Sequence, residues 1–191
     1  LMDNPISKLI PFIGGQFPNT FNKLLQSITH YELKEDDKLK VELWKAYEFG
    51  LKRHEGQKRL SGEPYFEAHC VEVAKILASW NMDITTIISG MLHDTVEDTS
   101  TSLEEIRTTG DKRISELVDD GRRHSGIHYS TRKGRHAGNY LRVLSTVTKD
   151  IRIIIIMCAA NRKKQKNIHH MTKSTTHRIA DETSKGYNKL E

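Results

Sequence analysis

The sequence has 191 residues, of which 36% are hydrophobic and 29% are charged, which is enough for one domain with its own core and too few to expect two. Its two cysteines, Cys70 and Cys158, fit neither a disulfide framework nor a zinc motif and indicate a reducing compartment. The sequence contains no run of about 18 apolar residues, so it predicts no membrane span, and it shows no signal-peptide pattern. The sequence therefore predicts a cytoplasmic protein that is neither inserted in a membrane nor exported.

The net charge of +5 is divided unevenly along the chain. Residues 121–191 contain 16 Lys and Arg against 4 Asp and Glu, whereas residues 1–120 contain 14 against 21. Such a basic region can bind the phosphates of a nucleotide, contact a nucleic-acid backbone, or pair with the acidic part of its own fold. Charge alone leaves these three alternatives open.

Residues 1–24 are predicted to form an irregular apolar arm. Three of the four prolines, Pro5, Pro11 and Pro18, lie here with two adjacent glycines, and this composition disfavours a regular element. The arm leads into a short predicted helix over residues 21–28. A longer helix is predicted over residues 36–54, because apolar side chains recur there at helical spacing. These are Leu39, Leu43, Ala46, Tyr47 and Leu51.

Residues 56–65 contain two glycines and the last proline of the chain, so they are predicted to be a loop. Lys58 and Arg59 in this loop could clamp phosphate oxygens, since an arginine binds two oxygens at once. Solvation of both charges at the surface is the alternative. A helix preceded by His69 follows, and Asp83 is predicted to cap the next helix.

The densest chemistry lies in residues 93–99, His-Asp-Thr-Val-Glu-Asp-Thr, at the end of an apolar segment. If the preceding helix continues, His93 and Glu97 share one face, and Asp94 and Asp98 share the adjacent one. A histidine beside an aspartate suits Mn²⁺, Fe²⁺ or Zn²⁺, and the outer Glu-Asp pair could hold or deprotonate a water on such an ion. The alternative is a solvated acidic helix end with a core histidine.

Two short helices are predicted after this stretch. Ser102 begins a capping-box pattern, and Asp111 is expected to cap a helix that ends near Gly121. Residues 121–139 are rich in Arg, Lys, His and Gly and have weak periodicity. They are predicted to be a loop that leads into a helix from about Gly134.

Asp150 is predicted to cap a helix over residues 151–160. Its four consecutive isoleucines, residues 153–156, are β-branched and also compatible with a buried strand, but the sequence offers no second strand to pair with it. A final helical segment is predicted over residues 179–187. The fold class is therefore all-α, and the domain is assigned to residues 25–191.

Five short motifs occur in an order that is typical of one protein family. They are Ala-Tyr-Glu-Phe at residues 46–49, His-Glu-Gly-Gln-Lys-Arg at 54–59, Ser-Gly-Glu-Pro-Tyr at 61–65, Val-Ala-Lys-Ile-Leu at 73–77, and the motif at 93–99. Weaker similarity continues at residues 116–119, 149–152 and 178–183. This combination resembles the N-terminal hydrolase domain of the RelA/SpoT alarmone family, whose members have the helical bundle of the HD superfamily.

The resemblance implies a guanosine-3′,5′-bis(diphosphate) 3′-pyrophosphohydrolase-type domain, without the synthetase domain of longer members. Such domains remove pyrophosphate from (p)ppGpp in the stringent response and use Mn²⁺. By this resemblance His69, His93 and Asp94 would be the metal ligands, and Glu97 and Asp98 would position or activate the attacking water. The implied substrate-binding residues are Arg59, Lys58 and Asn161.

Two departures from the family pattern affect this site. Ala68 is an additional residue before His69, and one residue turns an α-helix by about 100°. The family's second metal-binding motif is Leu-Ala-Asp-Arg-Leu-His-Asn-Met. A gapless match places Ala160 at its aspartate, whereas a one-residue gap offers Asn161, a neutral and weaker ligand.

These observations leave three hypotheses for the function. The first is a metal-dependent alarmone hydrolase with impaired activity, and the second is an inactive pseudo-hydrolase that binds a nucleotide or regulates a partner. The third, a nucleic-acid binder, ranks below them because the basic region lacks interleaved aromatic residues. The sequence does not predict an oligomeric state.

Overall fold

The computed structural model describes residues 17–31, 37–125 and 150–166, and the regular structure in these ranges is helical. A π-helical turn, Phe66–Cys70, runs directly into one of the helices. In chain order the helices are α1 (Asn19–Ser27), α2 (Asp37–Arg53), α3 (Val71–Ser79), α4 (Ile84–Leu92), α5 (Thr95–Asp98), α6 (Leu103–Thr109), α7 (Lys112–Ser125) and α8 (Ile151–Lys166). The predicted all-α fold class is confirmed.

Helices α3 and α4 pack side by side at the centre of the fold. Helices α1 and α8 lie against α3, and α2 and α7 lie against α4. The largest side chains enclosed between them each contribute roughly 1.5–3 kcal/mol by burial. They include Phe21, Leu24, Leu43, Tyr47, Phe66, Leu77, Ile87, Ile88, Met91 and Leu92.

The two central helices approach each other most closely at Gly90. A Cβ atom at this position would lie 2.2 Å from Leu77 Cδ1, a separation that no real side chain tolerates. The missing side chain therefore lets the end of α4 lie directly against α3. This contact brings His93, at the end of α4, beside the turn that precedes α3.

Helix α1 begins at Asn19, inside the stretch that the sequence assigns to the arm. Phe21 and Leu24 are fully buried, and the ring centroid of Phe21 lies 4.9 Å from that of Phe17 and 5.1 Å from that of Trp44. Residues 19–24 are therefore part of the packed domain. The part of the arm before residue 17 lies outside the described residues.

The predicted caps of two helices are confirmed, and one predicted helix end is wrong. Asp83 accepts a hydrogen bond from the backbone N of Thr86 at 3.0 Å, and Ser102 forms a complete capping box. Helix α7, however, continues beyond Gly121 to Ser125. A helical glycine costs about 1 kcal/mol, and ion pairs within the last turns of α7 help to offset this cost. These pairs join Asp119 to Arg122 and to Arg123.

The isoleucine-rich segment is helical, as predicted, and longer than expected. Asp150 accepts a hydrogen bond from the backbone N of Arg152 at 3.0 Å, and α8 continues beyond residue 160 to Lys166. Ile153 and Ile156 face the core with 1% and 5% of their surface exposed. Packing against α3 and α4 thus outweighs the strand preference of four β-branched residues.

Several predictions lie outside the described residues. These are most of the loop at residues 121–139, the helix expected from Gly134, and the final segment at residues 179–187. Within the ranges that the structure does describe, no helix has the length and apolar character needed to cross a membrane.

Candidate metal centre

The chain turns at His93 and Asp94, so the condition considered above, a helix that continues through residues 93–99, is not met. Helix α4 ends at Leu92, and the short helix α5 starts after the turn. Asp94 has φ −90° and ψ −7°, a backbone conformation in which many active-site residues are found. Its carbonyl accepts a hydrogen bond from the backbone N of Asp98 at 2.8 Å, which closes the first turn of α5. This break aims the Asp94 side chain at two histidines.

His69, His93 and Asp94 converge at this turn, and we call them the ligand cluster. His69 Nε2 lies 3.1 Å from Asp94 Oδ2, and His93 Nε2 lies 3.0 Å from Asp94 Oδ1. One donor atom from each residue can be chosen so that all three lie within 4.8 Å of one another. Burial alone would raise the pKa of Asp94, but His93 and His69 hold it well below its usual range. The carboxylate is therefore ionised at neutral pH.

The ring of His93 is oriented by the backbone of α4. Its Nδ1 lies 2.8 Å from the carbonyl oxygen of Gly90, and because a carbonyl only accepts, Nδ1 is the donor. In the neutral ring the lone pair is then on Nε2, the nitrogen that faces Asp94. Metal-binding histidines are commonly oriented in this way, and imidazole nitrogens with a carboxylate oxygen suit borderline divalent cations. The donor set therefore fits a metal ion.

The π-helical turn explains how His69 joins the cluster despite the additional residue Ala68. The backbone N of Val71 bonds to the carbonyl of Phe66, and this five-residue spacing accommodates one residue more than an α-turn does. The rotation expected for a regular helix is therefore absorbed within the turn. His69 is 1% exposed and contacts Asp94. Such bulges occur frequently at functional sites.

Glu97 and Asp98, the predicted catalytic pair, lie on α5 next to the ligand cluster. Both side chains are exposed. Desolvation and the neighbouring carboxylate of Asp94 nevertheless raise the pKa of Asp98, which makes the ionised form of Asp98 a stronger base. The end of α5 is fixed because Gln57 Nε2 donates to the carbonyl of Asp98 at 2.8 Å.

The predicted loop before the cluster is a tight hairpin. Lys58 and Pro64 form an antiparallel bridge, and Gly62 occupies the turn with φ +86°, a conformation that favours glycine. Arg59 is half-buried, and its guanidinium lies 6.0 Å from the centre of the Tyr65 ring. Lys58 is exposed. The hairpin thus holds Arg59 near the cluster and leaves Lys58 in solvent.

Helix α8 contributes different chemistry where the family's second metal motif is expected. Ala160 is 6% exposed and belongs to the hydrophobic core, whereas Asn161 is exposed. Lys163 Nζ lies 4.0 Å from an oxygen of Glu72, which is on α3 three residues after His69. Burial lowers the pKa of Lys163. This side of the site therefore presents a partly buried ammonium group.

Two further side chains next to the cluster escaped the sequence-based search. Tyr65 donates a hydrogen bond to Asp94 Oδ2 at 2.7 Å. His54 is buried, and its Nδ1 lies 2.8 Å from Gln57 Oε1. Both residues belong to the motifs that carry the family resemblance. The contact of Tyr65 with Asp94 depends on the turn after α4, however, and sequence spacing does not reveal it.

In this helical domain, a histidine that precedes one central helix meets a His-Asp pair at the end of the next helix. This arrangement is of the HD type. A family model described as "HD domain" matches residues 46–191. The chain therefore belongs to the HD-domain family. Within that family its relatives are RelA/SpoT-type proteins, which confirms the resemblance found in the motifs.

Three curated relatives are similar over most of this chain. A GTP pyrophosphokinase of Myxococcus xanthus is 35% identical over 142 residues, which are 73% of this chain and 19% of the relative. A guanosine-3′,5′-bis(diphosphate) 3′-pyrophosphohydrolase of Aquifex aeolicus is 36% identical over 146 residues, 76% of this chain and 20% of the relative. The bifunctional (p)ppGpp synthase/hydrolase SpoT of Escherichia coli is 32% identical over 170 residues, 89% and 24%. The chain thus spans about a fifth to a quarter of the length of these relatives.

Proposed function

We propose that this chain is a (p)ppGpp 3′-pyrophosphohydrolase domain that uses Mn²⁺, acts in the cytoplasm and has reduced activity. The observation that carries the proposal is the convergence of two histidine nitrogens and an ionised aspartate at one point. The names of the Aquifex aeolicus and Escherichia coli relatives support an alarmone substrate. Neither Cys70 nor Cys158 forms a disulfide, which is consistent with a reducing compartment.

His69, His93 and Asp94 would hold the cation. A divalent ion at this position would polarise a phosphoryl oxygen and make a nearby water more acidic. The protein supplies the geometry, because the π-helical turn fixes His69 and the carbonyl of Gly90 fixes His93. The half-buried, ionised carboxylate of Asp94 contributes the negative charge that favours a cation at this point.

Glu97 and Asp98 would handle the proton of the attacking water. Asp98 has the raised pKa and lies beside Asp94, so its ionised form can accept a proton within the site. Glu97 is exposed on the same short helix and would orient the water from the solvent side. The pyrophosphate would leave once the bond to the ribose 3′-oxygen breaks.

Arg59, Lys58 and Asn161 would contact the nucleotide. Arg59 is held beside the ring of Tyr65, and its planar fork can bind two phosphate oxygens. Lys58, exposed on the hairpin, would add a long-range positive charge. Asn161, exposed on α8, would offer a neutral hydrogen-bonding group on the opposite side.

A catalytically inactive binding module is the second candidate, and the chemistry of α8 favours it. Ala160 offers no ligand atom, and Lys163 places a partly buried ammonium near Glu72. A positive charge at this position weakens the binding of a cation and strengthens the binding of phosphates. Such a protein would bind the alarmone without hydrolysing it.

Metal analysis and a hydrolysis assay separate the two candidates. The purified chain is analysed for bound Mn, Fe and Zn by mass spectrometry, and ppGpp is then incubated with the protein and added Mn²⁺. Release of pyrophosphate and GDP, lost in Asp94→Asn, is the result expected for the hydrolase. Metal-free protein without turnover would overturn that proposal, and calorimetric binding of ppGpp by the same sample would establish the binding module.

A further inference from the structure

Tyr65 lies between the hairpin and the ligand cluster, in a position fixed by its neighbours. Its ring stacks on His54, with centroids 5.5 Å apart and planes inclined by 26°. It also lies against the ring of His69 at 5.3 Å. The backbone N of Tyr65 bonds to the carbonyl of Gln57 at 2.9 Å. The ring therefore has little freedom, and its hydroxyl is directed at Asp94.

The hydroxyl of Tyr65 distinguishes the two oxygens of Asp94. Oδ2 accepts the hydrogen bond from Tyr65 at 2.7 Å and lies 3.1 Å from His69 Nε2. Oδ1 faces His93 Nε2 at 3.0 Å and receives no hydrogen bond from the tyrosine. Because an ionised carboxylate only accepts, the Tyr65 hydroxyl is the donor in this bond.

The geometry points to Tyr65 as a positioning residue that fixes the plane of the Asp94 carboxylate and occupies one of its oxygens. A cation at the cluster then meets Asp94 as a one-oxygen ligand, which leaves a coordination position for water or substrate. This inference rests on the proposed metal site. Groups that hydrogen-bond to ligands in this way typically contribute 10- to 100-fold to metal affinity, an order-of-magnitude range.

The ring and the hydroxyl of Tyr65 have separable effects. The ring supports Arg59, whose guanidinium lies 6.0 Å from its centre, and it packs on His54. Only the hydroxyl contacts Asp94. Tyr65→Phe therefore removes the hydrogen bond to Asp94 and keeps the aromatic ring against which Arg59 lies. Tyr65→Leu removes both.

Tyr47 provides a matched control. Tyr47 is buried, whereas Tyr65 is half-buried, and Tyr47 likewise donates to a carboxylate, since its hydroxyl lies 3.1 Å from Glu67 Oε1. Glu67 is on the π-helical turn, but it is not a member of the ligand cluster. Tyr47→Phe thus removes a similar hydrogen bond without touching Asp94.

Mn²⁺ binding is measured by calorimetry for the full chain and for each variant, with the melting temperature recorded in parallel. We expect Tyr65→Phe to weaken Mn²⁺ binding by about 10- to 100-fold with little change in melting temperature. Tyr47→Phe should lower the melting temperature and leave Mn²⁺ affinity within about twofold. Tyr65→Leu should weaken Mn²⁺ binding to a similar extent and, at saturating Mn²⁺, also raise the KM for ppGpp.

Two results would overturn the inference: Mn²⁺ binding by Tyr65→Phe that equals or exceeds that of the parent, or an equal loss in Tyr47→Phe. The failure of the proposed function looks different. A parent chain that binds Mn²⁺ but releases no pyrophosphate would refute the hydrolase and leave the role of Tyr65 standing. A parent chain that binds no Mn²⁺ would overturn both.

Discussion

The two walls of the candidate site differ in how closely they follow the chemistry expected of the family. The first wall, formed by the π-helical turn and the α4–α5 turn, brings together His69, His93 and Asp94. The second wall, formed by α8, has a core alanine at residue 160 and an ammonium group at Lys163. Both walls pack on the same central helix α3. The different residues on α8 therefore leave its packing against α3 intact.

The first wall adapts through its backbone, whereas the second changes through its side chains. An added residue at Ala68 is absorbed by a wider turn, and the ligand remains in place. On α8 the helix is regular through Lys166, but the residue types differ from the family's ligands. Backbone plasticity can preserve a ligand, but it cannot supply one that the sequence lacks.

The largest expected effect comes from removing charge on the first wall. Asp94→Asn keeps the shape of the side chain but replaces the ionised carboxylate with a neutral amide. Because even indirect partners of a ligand contribute 10- to 100-fold, we expect Mn²⁺ affinity to fall by more than about 100-fold. Calorimetry with Mn²⁺ measures this change. Glu104→Gln, an exposed carboxylate on α6, is the control, and a similar loss there would show that general electrostatics rather than ligation is responsible.

A second prediction distinguishes the gapless alignment of α8 with the family's second metal-binding motif from the alignment with a one-residue gap. Ala160→Asp places a carboxylate in the hydrophobic core, and an unpaired buried charge costs several kcal/mol. With a shift of about 2–4 °C per kcal/mol for a chain of this size, we expect the melting temperature to fall by roughly 10 °C. Asn161→Asp, at an exposed position, should change stability by less than about 0.5 kcal/mol.

The same pair of variants tests which position faces the metal. We expect Asn161→Asp to bind Mn²⁺ several-fold more tightly than the parent, because it adds a negative charge on the side occupied by Lys163. Calorimetry under identical conditions compares both variants with the parent. Tighter binding by a stable Ala160→Asp variant would instead favour the gapless alignment.

A third prediction tests the adaptation of the first wall by deletion. Removing Ala68 should convert the π-helical turn to an α-helical one and leave His69 at the cluster, so Mn²⁺ affinity should stay within about threefold of the parent. Removing Ala74, a buried residue of the regular helix α3, should rotate the preceding residues by about 100° and disrupt both folding and binding. Circular dichroism and Mn²⁺ calorimetry report on both variants. A large loss on deletion of Ala68 would mean that the wider turn itself is needed.

The sequence was sufficient for most of the helices, because they depend on local patterns, whereas His69, His93 and Asp94, which the structure brings together, were named by the family resemblance. Apolar spacing located α2, and capping residues such as Asp83 and Ser102 located helix starts. Contacts that depend on the path of the backbone were not predictable. The turn at Asp94 and the wide turn at Ala68 result from tertiary packing, and so does the hydrogen bond from Tyr65 to Asp94.

The smallest expected effect is a loss of folding stability at alkaline pH, and it arises from Tyr47, which contacts Glu67 on the π-helical turn of the first wall. Burial is the main cause that raises the pKa of Tyr47 from 10.0 to about 12. The unfolded chain therefore loses this proton first as the pH rises, so the folded state binds more protons between these values. The associated stability is complete below pH 10.0 and is lost as the pH approaches about 12. Melting temperatures measured from pH 9 to 12 should fall less steeply for Tyr47→Phe than for the parent, and identical slopes would contradict this assignment.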